Sequence, residues 1–202
     1  MSKRQLLIFG AGAIGRGYIP WVFEPEKYEY RYVEANPCLR KSLQERREFT
    51  SYMTTDGEYR SRVIHIQDCV APGEEKSWLA TADAVITAVG PRNFSQLRSV
   101  LTGTNIPVLC CENDSSLPEQ MRKWTGNQNV VFAIPDVITS STANAKQLAE
   151  DPLAIVTENG QCFIDSAVNL HLPGNCHYVD KNELALQWLA KLYIHKIGRA
   201  HV

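Results

Sequence analysis

The sequence predicts an α/β protein built on a doubly wound, mostly parallel sheet. Strand-like apolar runs alternate with amphipathic helix patterns along the chain, as a parallel sheet with crossover helices requires. Residues 83–89 and 106–111 are almost entirely apolar, which is typical of strands buried on both faces. A glycine-rich turn joins the first strand pattern to the first helix pattern.

The elements of this core follow in order. The predicted core strands lie at residues 6–9, 29–34, 83–89, 106–111 and 130–134. Helices are predicted after the glycine turn, at Asn36-Pro37, over 93–101 and over 116–124. Between them, the alternating segments 49–54 and 59–66 flank Asp56-Gly57 and predict a β-hairpin.

The pattern changes after residue 134. Small polar residues fill 138–144, and the segments 152–158 and 161–165 flank Asn159-Gly160, which predicts a second hairpin. A helix pattern begins at Glu183. We therefore expect a β-rich extension over 135–182 and a new helical unit after it.

The glycine turn has the spacing and context of a dinucleotide-binding fingerprint. Gly10, Gly12 and Gly15 form G-x-G-x-x-G between a strand and a helix. In this Rossmann motif the first glycine makes the tight turn, the second lets the backbone approach a pyrophosphate, and the third allows close packing of helix and strand. The backbone N–H groups and the positive end of the helix favour phosphates.

The second predicted strand ends in Glu34, about 20 residues after the last glycine, where an acid receives the ribose 2′-hydroxyl. A carboxylate accepts that hydroxyl and repels a 2′-phosphate. The sequence therefore predicts NAD as the cofactor, while Arg31 and Arg40, which are close in sequence, leave NADP open.

Length and charge limit the class of partner. A chain of 202 residues suits one domain, or one domain and the beginning of another. Its net charge of −1 gives no electrostatic footprint for nucleic acid or an anionic membrane. No apolar run approaches the roughly 20 residues of a membrane span, and the first residues lead into a strand without a signal-peptide pattern. We expect a cytoplasmic protein with a small-molecule substrate.

The cysteines and histidines do not predict a metal centre. The six cysteines form no C-x-x-C motif, and their spacing from the five histidines is irregular. The expected role of the cysteines is that of small core residues in a reducing compartment.

Together, these motifs resemble the mannitol dehydrogenase family. The family's long glycine motif is matched by residues 9–17, its Thr-Ala-Val-Gly-Pro by 87–91, its Cys-Glu-Asn by 111–113 and its Lys-Leu-Tyr/Phe helix by 191–193. With the acid on the second strand, the resemblance implies a set of cofactor-binding residues: Phe9, Gly10, Ala11, Gly12, Ala13, Ile14, Gly15, Arg16, Gly17, Glu34, Ala88, Val89, Gly90, Pro91 and Glu112.

The resemblance also implies an activity. Family members move a hydride between NAD and the carbinol carbon of a sugar alcohol or its phosphate. Lys191 would serve as general acid/base, and Asn113 would donate a hydrogen bond to the reacting oxygen. Without the resemblance, Lys191 reads as a solvated surface charge and Asn113 as a loop or helix-capping residue. For the full-length enzyme the expected state is a monomer.

The chain departs from the family pattern after Lys191. The family's asparagine and histidine are replaced by Lys196 and Arg199, and its large helical domain does not follow. We expect an NAD-binding domain at 1–182 with its core at 1–134, the start of the helical substrate domain at 183–195, and a non-native tail at 196–202. Such a fragment is expected to be inactive alone and to expose an apolar face on its last helix.

Two alternatives stay open. A genuine tail without those two residues would suit a catalytically silent NAD-binding module with a regulatory role. A different hydroxyl-oxidising dehydrogenase, of the 6-phosphogluconate or hexuronate type, would share the same cofactor domain.

Overall fold

The computed structural model describes residues 2–137, 143–167 and 171–200, with side chains described up to residue 194. The strands are β1 (Arg4–Phe9), β2 (Tyr28–Val33), β3 (Glu48–Thr55), β4 (Glu58–His65), β5 (Asp68–Val70), β6 (Ala84–Thr87), β7 (Val108–Cys110), β8 (Val130–Pro135), β9 (Ile155–Glu158), β10 (Cys162–Asp165) and β11 (His177–Val179).

Within the described ranges the strands form one large sheet and one small sheet. The large sheet has eight strands in the order β11-β10-β8-β7-β6-β1-β2-β5. The six strands from β5 to β8 are parallel, β10 is antiparallel to β8, and β11 is parallel to β10. The order β5-β2-β1-β6-β7-β8 is that of a Rossmann fold, which confirms the predicted fold class.

Helices connect these strands. The glycine turn continues into a π-helical turn (Ala13–Tyr18) and α1 (Ile19–Val22). The other helical segments are α2 (Pro37–Arg46), α3 (Lys76–Leu79), a 3₁₀ turn (Phe94–Leu97), α4 (Arg98–Leu101), α5 (Leu117–Thr125), α6 (Ala145–Glu150) and α7 (Lys181–Ala200). The Asn36 side chain caps α2, since Oδ1 accepts from the N–H groups of Cys38 and Leu39 at 2.9 and 3.1 Å.

The small sheet has the order β4-β3-β9 and contains the first predicted hairpin. Thr55 pairs with Glu58, which leaves Asp56 and Gly57 as the two turn residues. Their φ angles of 51° and 84° are the positive values that a type I′ turn needs. The first hairpin is therefore confirmed.

The second predicted hairpin, around Asn159-Gly160, is wrong. β9 pairs with β3 in the small sheet, whereas β10 pairs with β8 in the large sheet. The Asn159 N–H donates to the Thr54 carbonyl at 2.9 Å, and the Gln161 carbonyl accepts from the Asp136 N–H at 2.8 Å. Because both flanks are paired with other strands, the turn carries the chain from one sheet to the other.

The core lies on both faces of the large sheet, as the alternation along β1 shows. Leu6 and Ile8 join the cluster between the two sheets, whereas Leu7 and Phe9 face the cluster under the α4 and α5 region. Four of the six cysteines are buried, as expected of core residues. Cys38 is exposed and Cys176 is half-buried, so the expectation fails for those two.

The expected apolar face on the last helix is present. Leu186, Leu189 and Tyr193 of α7 are 61%, 60% and 68% exposed. Side chains beyond residue 194, which include Lys196 and Arg199, lie outside the described residues, as does most of the polar run at 138–144. No helix in the described ranges has the length and apolar character needed to span a membrane.

Candidate active site

A cleft of about 260 Å³ opens at the carboxyl edge of β1, β2 and β6. This edge is where open α/β sheets bind ligands. The cleft is lined by Phe9, Gly10, Gly12, Val33, Glu34, Ala35, Pro72, Ala88, Val89, Asn93, Gln96, Leu97 and Val100. Six of these residues belong to the set that the family resemblance implied.

Two glycines of the fingerprint are required by the backbone. Gly10 has a φ of +92°, and a Cβ there would lie 2.3 Å from the Ala88 carbonyl oxygen. A Cβ on Gly15 would lie 2.0 Å from the Gly10 carbonyl oxygen. The turn after β1 and the helix start therefore pack against each other and against the end of β6 without room for a side chain, as predicted for these two positions.

Gly12 has a different environment. A Cβ at this exposed residue would meet nothing within 4 Å. Gly12 is the N-cap residue of the π-helical turn, and no side chain within the described ranges caps the N–H groups at this helix start. Uncapped N–H groups at a helix start form an electropositive site suited to an anion.

Glu34 lies at the end of β2 and holds the glycine turn. Its Oε2 accepts from the Ala11 N–H and its Oε1 from the Asn36 N–H, both at 2.8 Å. Each carboxylate oxygen has a second lone pair, so Glu34 can still accept a hydroxyl donor from the cleft.

The two arginines that left NADP open have backbone or side-chain partners. Arg40 donates to the Glu34 carbonyl at 2.9 Å, whereas Arg31 donates to the Thr81 hydroxyl at 3.1 Å and lies over the ring of Trp78. Arg40 therefore lies at the Glu34 end of the cleft, whereas Arg31 is engaged with Trp78 and Thr81.

Arg16, in contrast, points away from the cleft. It is 8% exposed, and burial lowers the pKa of its guanidinium, although nearby Tyr32, Asp151 and Glu34 oppose that shift. Nε donates to the Ala11 carbonyl at 2.7 Å, and Nη1 donates to the Leu153 carbonyl at 2.6 Å. The side chain thus joins the glycine turn to the segment before β9.

The neighbouring Gly17 also faces the small sheet. A Cβ at this position would lie 3.5 Å from Ile155, and the Gly17 carbonyl accepts from the Ser51 hydroxyl at 2.8 Å. Like Arg16, it lies behind the glycine turn.

The loop after β6 is held by a buried carboxylate. Glu112 is 3% exposed, and its two oxygens accept from the N–H groups of Val89 and Gly90 at 3.0 and 2.8 Å. Burial raises the pKa of Glu112, and the two backbone hydrogen bonds oppose that shift. Glu112 therefore fixes the loop that contains Ala88, Val89, Gly90 and Pro91.

Lys191 reaches the carboxyl edge of the large sheet from α7. The antiparallel β10 and the following β11 return the chain to the opposite edge, from which α7 runs back. Lys191 is 5% exposed, and its Nζ donates to the Pro135 carbonyl at the end of β8. The surface-charge interpretation of Lys191 is therefore wrong.

The surroundings of Lys191 shift its pKa downward. Burial lowers its pKa, while Asp136 and the thiols of Cys111 and Cys162 oppose that shift. Lysines with a lowered pKa can act as general bases near neutral pH.

Asn113 follows β7 and is exposed. Its side-chain amide makes no hydrogen bond within the described part of the chain, so it can donate to a ligand. The neighbouring Cys111 lies close enough to Lys191 to interact with its charge, which places Asn113 and Lys191 at the same edge of the sheet.

Sequence reasoning missed Asp136 beside Lys191, and Asn93 and Gln96 in the cleft. Asp136 lies two residues after the strand predicted at 130–134, just as Asn113 lies two residues after the strand predicted at 106–111. The cleft residues Asn93 and Gln96 carried no comparable signal, because they lie in and before a 3₁₀ turn that was predicted as an ordinary helix.

Comparison with known families gives a match over this part of the chain. Residues 4–123 match the family described as the mannitol dehydrogenase Rossmann domain. A mannitol-1-phosphate 5-dehydrogenase of Brevibacillus brevis is 32% identical over 130 residues, covering 57% of this chain and 33% of that protein. One from an Exiguobacterium species is 28% identical over 168 residues, covering 74% of this chain and 43% of that protein. The chain thus spans less than half the length of these curated relatives.

Solved structures agree on the fold. A probable 2-dehydropantoate 2-reductase of Bacillus subtilis superposes with a TM-score of 0.60 at 13% identity, over 88% of this chain and 58% of the other. An octopine dehydrogenase determined with NADH and pyruvate superposes with a TM-score of 0.61 at 11% identity, over 92% of this chain and 47% of the other. At these identities the likeness shows a shared Rossmann architecture.

Proposed function

Because this chain belongs to the mannitol dehydrogenase family through its Rossmann domain, we propose that it is the NAD-binding part of a polyol-phosphate dehydrogenase. The observation that carries the proposal is the cleft at the carboxyl edge of β1, β2 and β6. An uncapped helix start with an open glycine lies at its base, and a carboxylate lies at the end of β2. A pyrophosphate suits the first feature, and a ribose diol suits the second.

Glu34 gives the preference for NAD over NADP. Its carboxylate can accept a ribose hydroxyl and repels a 2′-phosphate. Arg40 donates to the Glu34 carbonyl through Nη1 and keeps its other N–H groups, so the preference for NAD rests on the Glu34 carboxylate.

The reaction proposed for the whole enzyme is oxidation of a carbinol carbon, of the type mannitol 1-phosphate to fructose 6-phosphate. A nicotinamide bound in the cleft would supply the hydride acceptor for that carbon. The neutral amine of Lys191 takes the hydroxyl proton on Nζ, and burial, which lowers the pKa of Lys191, raises the fraction of this form above that of an exposed lysine. The Asn113 amide donates a hydrogen bond to the oxygen as negative charge develops on it.

Calorimetric titration of the folded chain with NADH and NADPH tests the cofactor assignment. We expect binding of NADH and weaker binding of NADPH. Heat from neither coenzyme would overturn the assignment, and equal affinities would overturn the role of Glu34.

A second measurement tests the activity of the chain by itself. We propose that the 202 residues bind NAD without turnover, because the chain spans less than half the length of its curated relatives. Incubation with mannitol 1-phosphate and NAD, followed by NADH absorbance, should show no steady rate. A steady NADH production that requires Lys191 would contradict the proposed inactivity.

A further inference from the structure

We infer that Arg16 is a positioning residue that sets the direction of the Gly12 N–H, the donor aimed at the cofactor's pyrophosphate. The inference rests on the proposed binding of a dinucleotide in the cleft. It concerns a side chain that lies on the opposite side of the glycine turn from the cleft.

The Ala11 carbonyl and the Gly12 N–H belong to one peptide unit. In a trans peptide the C=O and the following N–H point in opposite directions. Arg16 Nε binds the Ala11 carbonyl at 2.7 Å from the buried side. The Gly12 N–H of the same peptide unit therefore points to the opposite side, and Gly12 itself lines the cleft.

Ala11 is held through both of its backbone polar groups. Its N–H donates to Glu34 Oε2 at 2.8 Å, while its carbonyl accepts from Arg16. Ala11 itself is fully buried. Two charge-assisted hydrogen bonds on one residue leave the turn little freedom to rotate its peptide planes.

Arg16 is itself anchored by two contacts. Nη1 donates to the Leu153 carbonyl at 2.6 Å, and the guanidinium lies over the ring of Phe49 at 5.2 Å. Leu153 and Phe49 belong to the segment before β9 and to β3. The small sheet therefore acts as the fixed support from which Arg16 holds the turn, and a rigid donor binds an anion without an ordering cost.

Variants at Arg16 test this role by comparing ligands with and without a pyrophosphate. For Arg16→Met we expect about a tenfold loss of affinity for NADH and for ADP, the size of one hydrogen bond to a charged group. Affinity for adenosine, which has no phosphate, should stay unchanged. An equal loss for adenosine and ADP would overturn the inference, because it would indicate general damage to the cleft.

Two further variants separate the alternatives. Arg16→Lys keeps the charge but loses the planar guanidinium, whose Nε and Nη1 reach the two carbonyls separately, so it should bind ADP more weakly than the wild type. Wild-type affinity would indicate a simple charge effect and overturn the inference. Ser51→Ala removes another contact of the small sheet, to Gly17, and should lower the melting temperature while the ratio of ADP to adenosine affinity stays unchanged.

The wild-type chain distinguishes the two levels of failure. If it binds neither NADH nor ADP, the proposed function fails before Arg16 is tested. If it binds both and Arg16→Met binds them equally well, the proposed function stands and the role of Arg16 is wrong.

Discussion

At the scale of single residues, two carboxylates of the candidate site accept hydrogen bonds from backbone N–H groups. Glu34 holds the glycine turn, and Glu112 holds the loop after β6. Each carboxylate lies beside the cleft, and both of its oxygens accept hydrogen bonds from the main chain. Carboxylates in these positions both shape the cleft and bias the charge of the ligand it accepts.

Replacement of Glu34 tests this double role. Glu34→Gln has the same size without the negative charge, so we expect about a tenfold loss of NADH affinity together with a smaller difference between NADH and NADPH. Titration with both coenzymes gives the ratio. A melting temperature near that of the wild type would show that the turn stays folded, and an unchanged ratio would contradict the assignment of Glu34 to the ribose.

Lys191 gives a pH-dependent prediction. Its pKa is lowered in the folded chain, so burial of the ammonium destabilises the fold at pH values below the lowered pKa, and this penalty disappears as pH rises from the lowered pKa to the ordinary value of about 10.4. Wild-type stability should therefore rise relative to Lys191→Met over that window. Urea unfolding of both proteins across the pH series measures the difference.

The variant pair provides its own control, because groups other than Lys191 titrate in both proteins and cancel in the difference. A difference that is constant with pH would show that Lys191 has an ordinary pKa. A difference of the opposite sign would show that a partner such as Asp136 stabilises the charge by more than burial destabilises it.

At the scale of elements, Gly12 and Gly15 separate binding from folding. Gly12→Ala places a Cβ in open space with an ordinary φ of −81°, so unfolding free energy should change by about 0.5 kcal/mol or less while NADH affinity falls at least about tenfold. Gly15→Ala places a Cβ against the Gly10 carbonyl and should cost about 1–3 kcal/mol of stability.

Thermal unfolding and NADH titration of both variants check this contrast. If Gly12→Ala binds NADH like the wild type, the pyrophosphate does not lie over the glycine turn. If Gly15→Ala is as stable as the wild type, the close approach of helix and strand is not a constraint on this position.

The elements that the sequence predicted well are those with strong local signals. The glycine turn between β1 and the first helix, the Asn36 cap and the Asp56-Gly57 turn each carry residue types with a particular backbone requirement. The turn at Asn159-Gly160 carries the same residue types. It was assigned wrongly because its flanking strands found partners at residues 51–54 and 133–135, which local patterns do not encode.

The candidate site shows the same division. Spacing alone predicted Gly10, Gly12 and Glu34, which line the cleft, because the fingerprint is continuous in sequence. Spacing could not show that Arg16 turns away from the cleft, because this orientation depends on a hydrogen bond to the carbonyl of Leu153, which lies 137 positions later in the sequence. The partner of Lys191 is likewise distant, because α7 must fold back to reach Pro135.

At the scale of the whole molecule, α7 has two different roles. Leu184, Trp188 and Lys191 face the large sheet, where Trp188 packs edge-on against Phe132 at 5.2 Å. Leu186, Leu189 and Tyr193 face outward. A helix with apolar residues on both sides is typical of an element buried between two layers.

Because of this exposed face, we expect copies of the chain to associate with one another through α7. Contiguous exposed apolar surface favours association in water. The double variant Leu186→Gln/Leu189→Gln keeps good helix formers and should shift sedimentation toward the monomer. Its NADH affinity should stay unchanged, because neither residue lines the cleft or contacts the glycine turn.

The double variant Ser61→Gln/Glu58→Gln changes two exposed polar residues on β4 and controls for surface substitution. It is a suitable control because β4 contributes nothing to the α7 face. Association that persists in the α7 variant, or that disappears equally in the β4 variant, would show that the contact lies elsewhere on the molecule.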